Sequence, residues 1–273
     1  MKLIFILIFA LSTSNIFASD STFFSCKYRY SFQKDSTNPA VKSNDIMILA
    51  TTNMSSVYYS FLKQIGYSNL EKKQLDAKMQ NEPLYIGAEN AKEGATFFIG
   101  NETEIISTNY TTGETIVTNK FLEDSYGYKE NTEIPEWKIA ADTVTILNQI
   151  CQKATATYKG RNWEAWFAVN IPISKGPWLL IGLPGLILKA NDDKKQFVFE
   201  CMELNTPNTV TSGFKPYSNV LFISKSLYRE KRKLFSQNLV EYLRSNGISV
   251  TNNSNGVQVV RPNKPYNPID LSK

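Results

Sequence analysis

The stretch FSCKYRYSF, Phe24–Phe32, decides the fold class because apolar and polar side chains alternate along its whole length. Successive side chains of a β-strand point to opposite faces of the sheet, so one set faces a core and the other faces water. The central stretch Ile150–Val169 alternates in the same way on both sides of Lys159-Gly160, a pair suited to a tight hairpin turn. Both stretches predict antiparallel strands with short connections.

Further strands and two helices are predicted from the same kind of pattern. The strands are Asp45–Ala50, Ala95–Ile99, Glu114–Thr118, Glu136–Ala140, Trp178–Ile181, Leu186–Ala190, Gln196–Met202 and Val257–Val260. The helices are Ser56–Met79 and Lys225–Ser245, and Asn246-Gly247 is a typical stop for the second. The predicted fold class is α+β, mainly antiparallel β: a curved β-meander or half-open barrel with the C-terminal-region helix on one face.

The N-terminus has the pattern of a secretory signal peptide, residues 1–18. Lys2 gives a positive start, Leu3–Leu11 is an apolar run, and Ala18 is a small residue at the expected cleavage point. The apolar run is too short for a bilayer, which requires roughly 20 residues. We therefore expect a mature chain, residues 19–273, that forms a single β-rich domain without a transmembrane span. It should be exported to the periplasm or associated with the outer membrane.

The formal net charge of +5 is spread thinly along the 273 residues, so no nucleic-acid partner is expected. One basic cluster, Arg229, Lys231, Arg232 and Lys233, lies on the second predicted helix and is interpreted as a solvated helix face. The three cysteines are too few for a disulfide scaffold. Cys151 and Cys201 both lie in predicted strands and could form a disulfide or remain buried thiols, and Cys26 would be left over.

The sequence contains no histidine, which removes the usual general base and the common zinc sites. It has no Gly-rich phosphate loop and no nucleophile elbow, so we expect neither a cofactor nor a metal site, and no enzymatic activity. Carboxylate-only hydrolysis stays open, with Glu164, Glu200 and Glu203 as candidates, although outward-facing strand positions explain them more simply. Asn191–Asp193 could contribute to a calcium site but is more simply a turn.

The four tryptophans gather in or beside the central strands. They are Trp137, Trp163, Trp166 and Trp178. Side chains of this size could line a groove for a lipid, a peptide or a sugar, or they could fill a β-core by packing alone.

The run Gly182-Leu183-Pro184-Gly185-Leu186-Ile187 resembles the name-giving motif of the GLPGLI family, exported proteins found chiefly in Bacteroidetes. The surrounding sequence agrees with this resemblance. The agreeing segments are Trp137–Ile139, Cys151–Ala154, Gly160–Trp166, Ile171–Ile173, Gly176–Trp178 and the tail Lys264–Leu271. The resemblance implies export, an unknown function and genes often placed near outer-membrane transport components, and it carries over no catalytic residue.

The hexapeptide also has a physical interpretation. Leu183–Leu186 suits a type II turn, in which Pro184 presets φ and Gly185 takes a positive φ. We therefore predict a rigid corner that redirects the chain within the sheet.

Three classes of function remain open from the sequence. The first is a non-catalytic binding or accessory protein for an apolar ligand or an outer-membrane transport partner. The second is a carboxylate-dependent hydrolase, which needs two acids facing each other across a cleft. The third is a structural interaction module, which predicts a filled core and a flat exposed surface.

Overall fold

The computed structural model describes residues 24–40, 42–61, 63–64, 104–121, 124–205, 214, 216–238, 241–242, 245 and 266–272. The predicted signal peptide and the predicted strands Ala95–Ile99 and Val257–Val260 lie outside these residues. None of the helices within them is long and apolar enough to cross a membrane.

The described strands form one twelve-stranded sheet. They are β1 (Phe24–Phe32), β2 (Ser43–Thr51), β3 (Ser55–Ser60), β4 (Ile105–Asn109), β5 (Glu114–Phe121), β6 (Asp124–Asn131), β7 (Lys138–Ile146), β8 (Gln149–Tyr158), β9 (Arg161–Ala168), β10 (Leu186–Asp192), β11 (Phe197–Asn205) and β12 (Leu221–Phe222). The helix α1 (Lys225–Gln237) follows them. The predicted α+β class, with a mainly antiparallel sheet and a helix near the C-terminus, is confirmed.

Two meanders make up the sheet, in the order β12-β6-β5-β4-β3-β2-β1-β11-β10-β9-β8-β7. Each strand from β1 to β6 pairs with the next one along the chain, and so does each strand from β7 to β11. The antiparallel pair β1–β11 joins the meanders, and the two-residue β12 adds to β6 in parallel.

A short link between the two meanders shows why the sheet must be curved. In a flat sheet, ten strand-to-strand steps of about 4.8 Å would place β6 about 48 Å from β7. The seven residue steps from Asn131 to Lys138 reach at most about 25 Å. The sheet therefore curls until β6 and β7 can be joined by this link, and the curl encloses an inner face.

Most of the core lies on this inner face. Its largest fully buried side chains include Tyr28, Trp163, Phe167 and Phe199. A second, smaller cluster lies over β2–β4 and consists of Ile48, Ala50, Val57, Tyr59 and Ile105, with Phe61, Phe214 and Tyr217 packed against it. Because the two clusters contain alternating residues of the same strands, β2–β4 are covered on both faces.

One predicted helix is wrong at its start. Ser56–Met79 was expected to be a helix, but Ser55–Ser60 is the strand β3, in which every residue is buried between β2 and β4. Residues 61 and 63–64 are helical, and the remainder, from residue 65, lies outside the described residues. Pairing on both sides and burial in the sheet outweigh the local preference of Ser56–Ser60.

The predicted strand Trp178–Ile181 is wrong. It forms a turn and an irregular segment, and the positive φ of Trp178, 55°, is incompatible with an extended strand.

The predicted type II turn is also wrong. The glycine with a positive φ in the hexapeptide is Gly182, at 94°, whereas Gly185 has no positive φ. A Cβ at Gly185 would lie 2.0 Å from the carbonyl oxygen of Ala168. Gly185 is therefore required for close approach to the end of β9, where Leu186 begins β10.

Replacing Gly185 with alanine should destabilise the protein more than the same change at Gly113, which has a φ of 68° but open space around it. We expect Gly185→Ala to lower the free energy of unfolding by about 1–3 kcal/mol or more through overpacking. Gly113→Ala should cost about 1–2 kcal/mol through backbone conformation alone. Urea denaturation measures both variants, and a smaller loss for Gly185→Ala would contradict the close-approach explanation.

Candidate functional site

A buried arginine anchors the C-terminal tail, Tyr266–Ser272, to the end of the β8–β9 hairpin. Lys159 and Gly160 both take positive φ, 49° and 75°, which confirms the predicted tight turn and brings Arg161 to the start of β9. The guanidinium of Arg161 then donates five hydrogen bonds. Two of these bonds go to the sheet end of the site: Nη1 donates to Asp192 Oδ2 at 3.0 Å and to Gln196 Oε1 at 2.9 Å. The other three go to the tail: Nε donates to Ile269 O at 3.0 Å, and Nη2 donates to Asn267 Oδ1 at 2.9 Å and to Pro268 O at 2.5 Å.

Asp192, a residue of the predicted turn or calcium site, has a different role. Its side chain is completely buried at the end of β10, where Oδ2 pairs with Arg161 and Oδ1 accepts from the backbone N–H of Phe197. Within the described part of the chain, no three acidic or cysteine side chains are arranged to hold a metal ion. No local pattern in the sequence predicts this pair, although Gly160-Arg161 and the tail are both among the segments that agree with the GLPGLI resemblance.

A second set of ion pairs joins α1 to the sheet and the tail. Arg232 Nη1 lies 2.6 Å from Glu104 Oε1, which also accepts from Tyr228 Oη at 3.0 Å. Arg229 Nη2 lies 2.6 Å from Asp270 Oδ2. Burial acts to raise the pKa of Asp270, but hydrogen bonds from Ser272 and the nearby cations hold it below its usual value. Arg229 and Arg232 therefore face protein partners, and the interpretation of the basic cluster as a solvated face is wrong for them.

These elements border a pocket of about 530 Å³ that is partly open to solvent, which we call the helix–tail cavity. It lies between α1, the tail, the inner-face residues Val117 and Tyr128, and Trp178-Leu179 of the segment before the GLPGLI motif. Trp178 has a φ of 55°, a conformation that costs a bulky residue on the order of 1–3 kcal/mol. The fold holds this strained residue in the cavity wall, against Trp163 at a ring distance of 5.6 Å.

The four tryptophans do not line one groove. Trp163 and Trp178 pack against each other in the core, and Trp178 alone among the four contributes to the helix–tail cavity. Trp137 Nε1 donates to Ile181 O at 2.7 Å, which ties the β6–β7 link to the inner segment. Trp166 lies beside Lys153, whose ammonium is 5.7 Å from its ring centre.

The three glutamates considered for hydrolysis each lie beside a lysine of a neighbouring strand. The oxygen–nitrogen distances are 2.7 Å for Glu164–Lys153, 3.2 Å for Glu200–Lys189 and 2.7 Å for Glu203–Lys27. The hydrogen bond from Lys153 lowers the pKa of Glu164, which favours the ionised form. These carboxylates form cross-strand ion pairs and do not face one another across a cleft.

The three cysteines are free and buried, so the bridge considered between Cys151 and Cys201 is absent from the structure. Cys201 lies close enough to Cys26, on the neighbouring strand β1, for their side chains to hydrogen-bond. Burial raises the pKa of the Cys26 and Cys151 thiols, which keeps them in the weakly reactive protonated form.

Lys175 is half-buried and joins the segment before the GLPGLI motif to the β2–β3 hairpin. Its Nζ donates to Thr51 Oγ1 and Thr52 O, both at 2.6 Å, and lies 4.4 Å from the ring centre of Tyr110. These partners are uncharged. Burial therefore lowers the pKa of Lys175 to about 8.

Comparison with known proteins supports the GLPGLI resemblance over a short stretch. Residues 157–189 match a family model described as "Protein of unknown function (Porph_ging)", a GLPGLI-type domain associated with Bacteroidetes. The 33 matched residues run from the end of β8 through the hexapeptide into β10 and include Arg161, Lys175 and Trp178. No curated protein matches the chain.

Two solved structures of PNGF-II, in different crystal forms, are similar to this chain. The TM-scores are 0.48 and 0.49, at 16% sequence identity in both comparisons. The similar regions cover 77% and 76% of this chain but 33% and 32% of the PNGF-II chains. This chain thus spans about a third of the length of PNGF-II.

Removing the Arg161 side chain should release the tail. Arg161→Met leaves Asp192 buried without its cation, so the free energy of unfolding should fall by about 3–5 kcal/mol. Hydrogen exchange at Leu271, whose N–H donates to Lys159 O, should accelerate. Arg161→Lys keeps the charge but not the fork of donors. It should therefore show the same accelerated exchange at Leu271 as Arg161→Met, with a smaller loss of stability than Arg161→Met.

The control for this prediction is Lys153→Met, which removes the cation of an exposed pair and should leave tail exchange unchanged. Unchanged protection of Leu271 in Arg161→Met would show that the tail is held by other contacts.

The contribution of Lys175 to stability should rise with pH above about 8. The unfolded chain holds the Lys175 proton up to its usual pKa of 10.5, whereas the folded protein releases it near 8. Between these values the unfolded chain binds more protons, so the free energy of unfolding increases with pH. Lys175→Met should remove this part of the increase, and Lys189→Met, at an exposed pair, should not. Urea denaturation below about pH 10, before tyrosines ionise, measures the difference.

Proposed function

We propose that this protein is an exported, non-catalytic binding protein that holds a small apolar molecule in the helix–tail cavity. The observation that carries this proposal is the cavity itself, which remains open beneath a helix and a tail that are firmly attached to the sheet. Export is supported by the signal-like N-terminus and by the exported family that the GLPGLI segment resembles.

The size and lining of the cavity support a small-molecule ligand. Its volume of about 530 Å³ falls within the range of roughly 300–1,000 Å³ that small-molecule sites occupy. Val117, Leu179 and the rings of Tyr128, Trp178 and Tyr228 provide apolar contact surface. A structural interaction module would be expected to fill this space with side chains, so the cavity favours the binding protein over that alternative.

The charges at the cavity support a non-catalytic role. A general acid near neutral pH needs a carboxyl group with a raised pKa. Of the two half-buried carboxylates in the wall, Asp270 has a lowered pKa, and both Asp270 and Glu104 are engaged by arginines. The hydrolase alternative is therefore less well supported than binding.

Enlarging a side chain in the cavity wall should weaken ligand binding. Val117→Phe adds a ring at a position whose side chain faces the cavity, so the affinity for the uncharged fluorescent probe N-phenyl-1-naphthylamine should fall about tenfold or more. The measurement is a fluorescence titration of the purified mature protein.

Val144→Phe is the matched control, because Val144 lies in β7 and is 41% exposed, away from the cavity. Its probe affinity should equal that of the wild type. Equal affinities for Val117→Phe and the wild type, or no probe binding by the wild type, would overturn the cavity as the binding site.

A further inference from the structure

The buried charges of the cavity wall are already paired within the protein, and two further charged residues of the wall, Glu230 and Lys233, are exposed. The two most buried cations of the wall, Arg229 and Arg232, lie 2.6 Å from the carboxylates of Asp270 and Glu104, respectively. Arg229 also donates to the carbonyl and the hydroxyl oxygens of Ser272, at 2.7 Å and 2.8 Å. An anionic ligand bound beside Arg229 and Arg232 would lose its hydration and would have to displace one of these contacts to find a buried counter-charge.

Tyr128 contributes a phenol group to the wall. Tyr128 is 6% exposed and lines the cavity, and its hydroxyl makes no hydrogen bond to any described residue. The ring of Tyr128 is fixed by edge contact with Tyr228, at 5.0 Å between centroids, and by Lys225 at 5.5 Å. The hydroxyl is not one of the fully buried unpaired polar atoms of the described residues, so an acceptor oxygen of a ligand would take the place of water at this point.

The surroundings of Tyr128 keep its hydroxyl a hydrogen-bond donor. Burial raises its pKa well above the usual value for tyrosine, and the carboxylates of Glu104, Glu130 and Asp270 raise it further. The same three carboxylates repel an anion brought to the hydroxyl, although Arg232 reduces this effect. A neutral acceptor oxygen suits this donor better than a carboxylate or a phosphate.

Resting on the proposed function, we infer that the helix–tail cavity selects uncharged apolar molecules that carry one hydrogen-bond acceptor oxygen, such as a ketone or an ester, and that Tyr128 Oη donates to this oxygen. The apolar walls hold the body of the molecule, and Tyr128 sets its orientation. The fatty acid corresponding to such an ester would be a poorer ligand because the buried cations of the wall are paired and Lys233 is exposed to water, where it attracts a carboxylate only weakly.

The test compares three molecules of similar size and different polarity: pentylbenzene, valerophenone and 5-phenylpentanoate. Each is used to displace N-phenyl-1-naphthylamine from the wild type, from Tyr128→Phe and from the control Tyr59→Phe, which lies in the smaller cluster over β2–β4. For the wild type we expect the ketone to bind about threefold to tenfold more tightly than the hydrocarbon. The carboxylate should bind about tenfold more weakly than the ketone.

In Tyr128→Phe the advantage of the ketone over the hydrocarbon should disappear, while hydrocarbon binding stays unchanged. Tyr59→Phe should keep the wild-type order of affinities. If the probe binds but the carboxylate is the tightest ligand, or the ketone keeps its advantage in Tyr128→Phe, the inference on ligand class is overturned and the cavity stands. If neither the probe nor any of the three molecules binds, the proposed function fails as well.

Discussion

The structure depends on the complete hydrogen bonding of one buried guanidinium. Arg161 has five N–H donors, and the five acceptors come from β10, the residue before β11 and the C-terminal tail. Burying this charge is costly, and the cost is offset because Asp192 supplies a counter-charge and every donor finds an oxygen. Arginine suits this position because its planar fork reaches several acceptors at once, which the single ammonium of lysine does not.

The anchor is needed because the curved sheet has an inner face that other elements must cover. The short link between Asn131 and Lys138 forces β6 and β7 towards each other, and the enclosed inner face must then be covered. Within the described residues, three elements outside the sheet cover it: α1, the segment before the GLPGLI motif and the tail. Polar hydrogen bonds of Arg161, Lys175 and Trp137 hold the tail and the segment before the GLPGLI motif in place at the edges of these elements. The helix–tail cavity remains where they meet over Val117 and Tyr128.

Charge pairing links this architecture to the proposed binding role. Exposed lysine–glutamate pairs on neighbouring strands contribute little individually, whereas the half-buried pairs of Arg229 and Arg232 fix α1 to the tail and to Glu104. The same pairing neutralises the buried charges of the wall, whereas Glu230 and Lys233 are exposed. The buried part of the wall then offers mainly apolar surface and the Tyr128 hydroxyl, a combination that suits recognition of a neutral molecule by shape and one hydrogen bond.

The sequence by itself determined the features that depend on neighbours along the chain. Alternation in Phe24–Phe32 and Ile150–Val169 predicted strands, Lys159-Gly160 predicted the hairpin turn, and the helical pattern of Lys225–Ser245 predicted the start of α1. The tertiary structure decided the conformation of Ser55–Ser60, where pairing on both sides makes a strand of a segment with helical composition. It also decided that position 185 must be glycine, because a carbonyl oxygen of another strand leaves no room for a Cβ. It also decided the Arg161 anchor and the cavity. Arg161 and Ile269 are 108 residues apart, and no local periodicity reports which distant groups a curved sheet brings together.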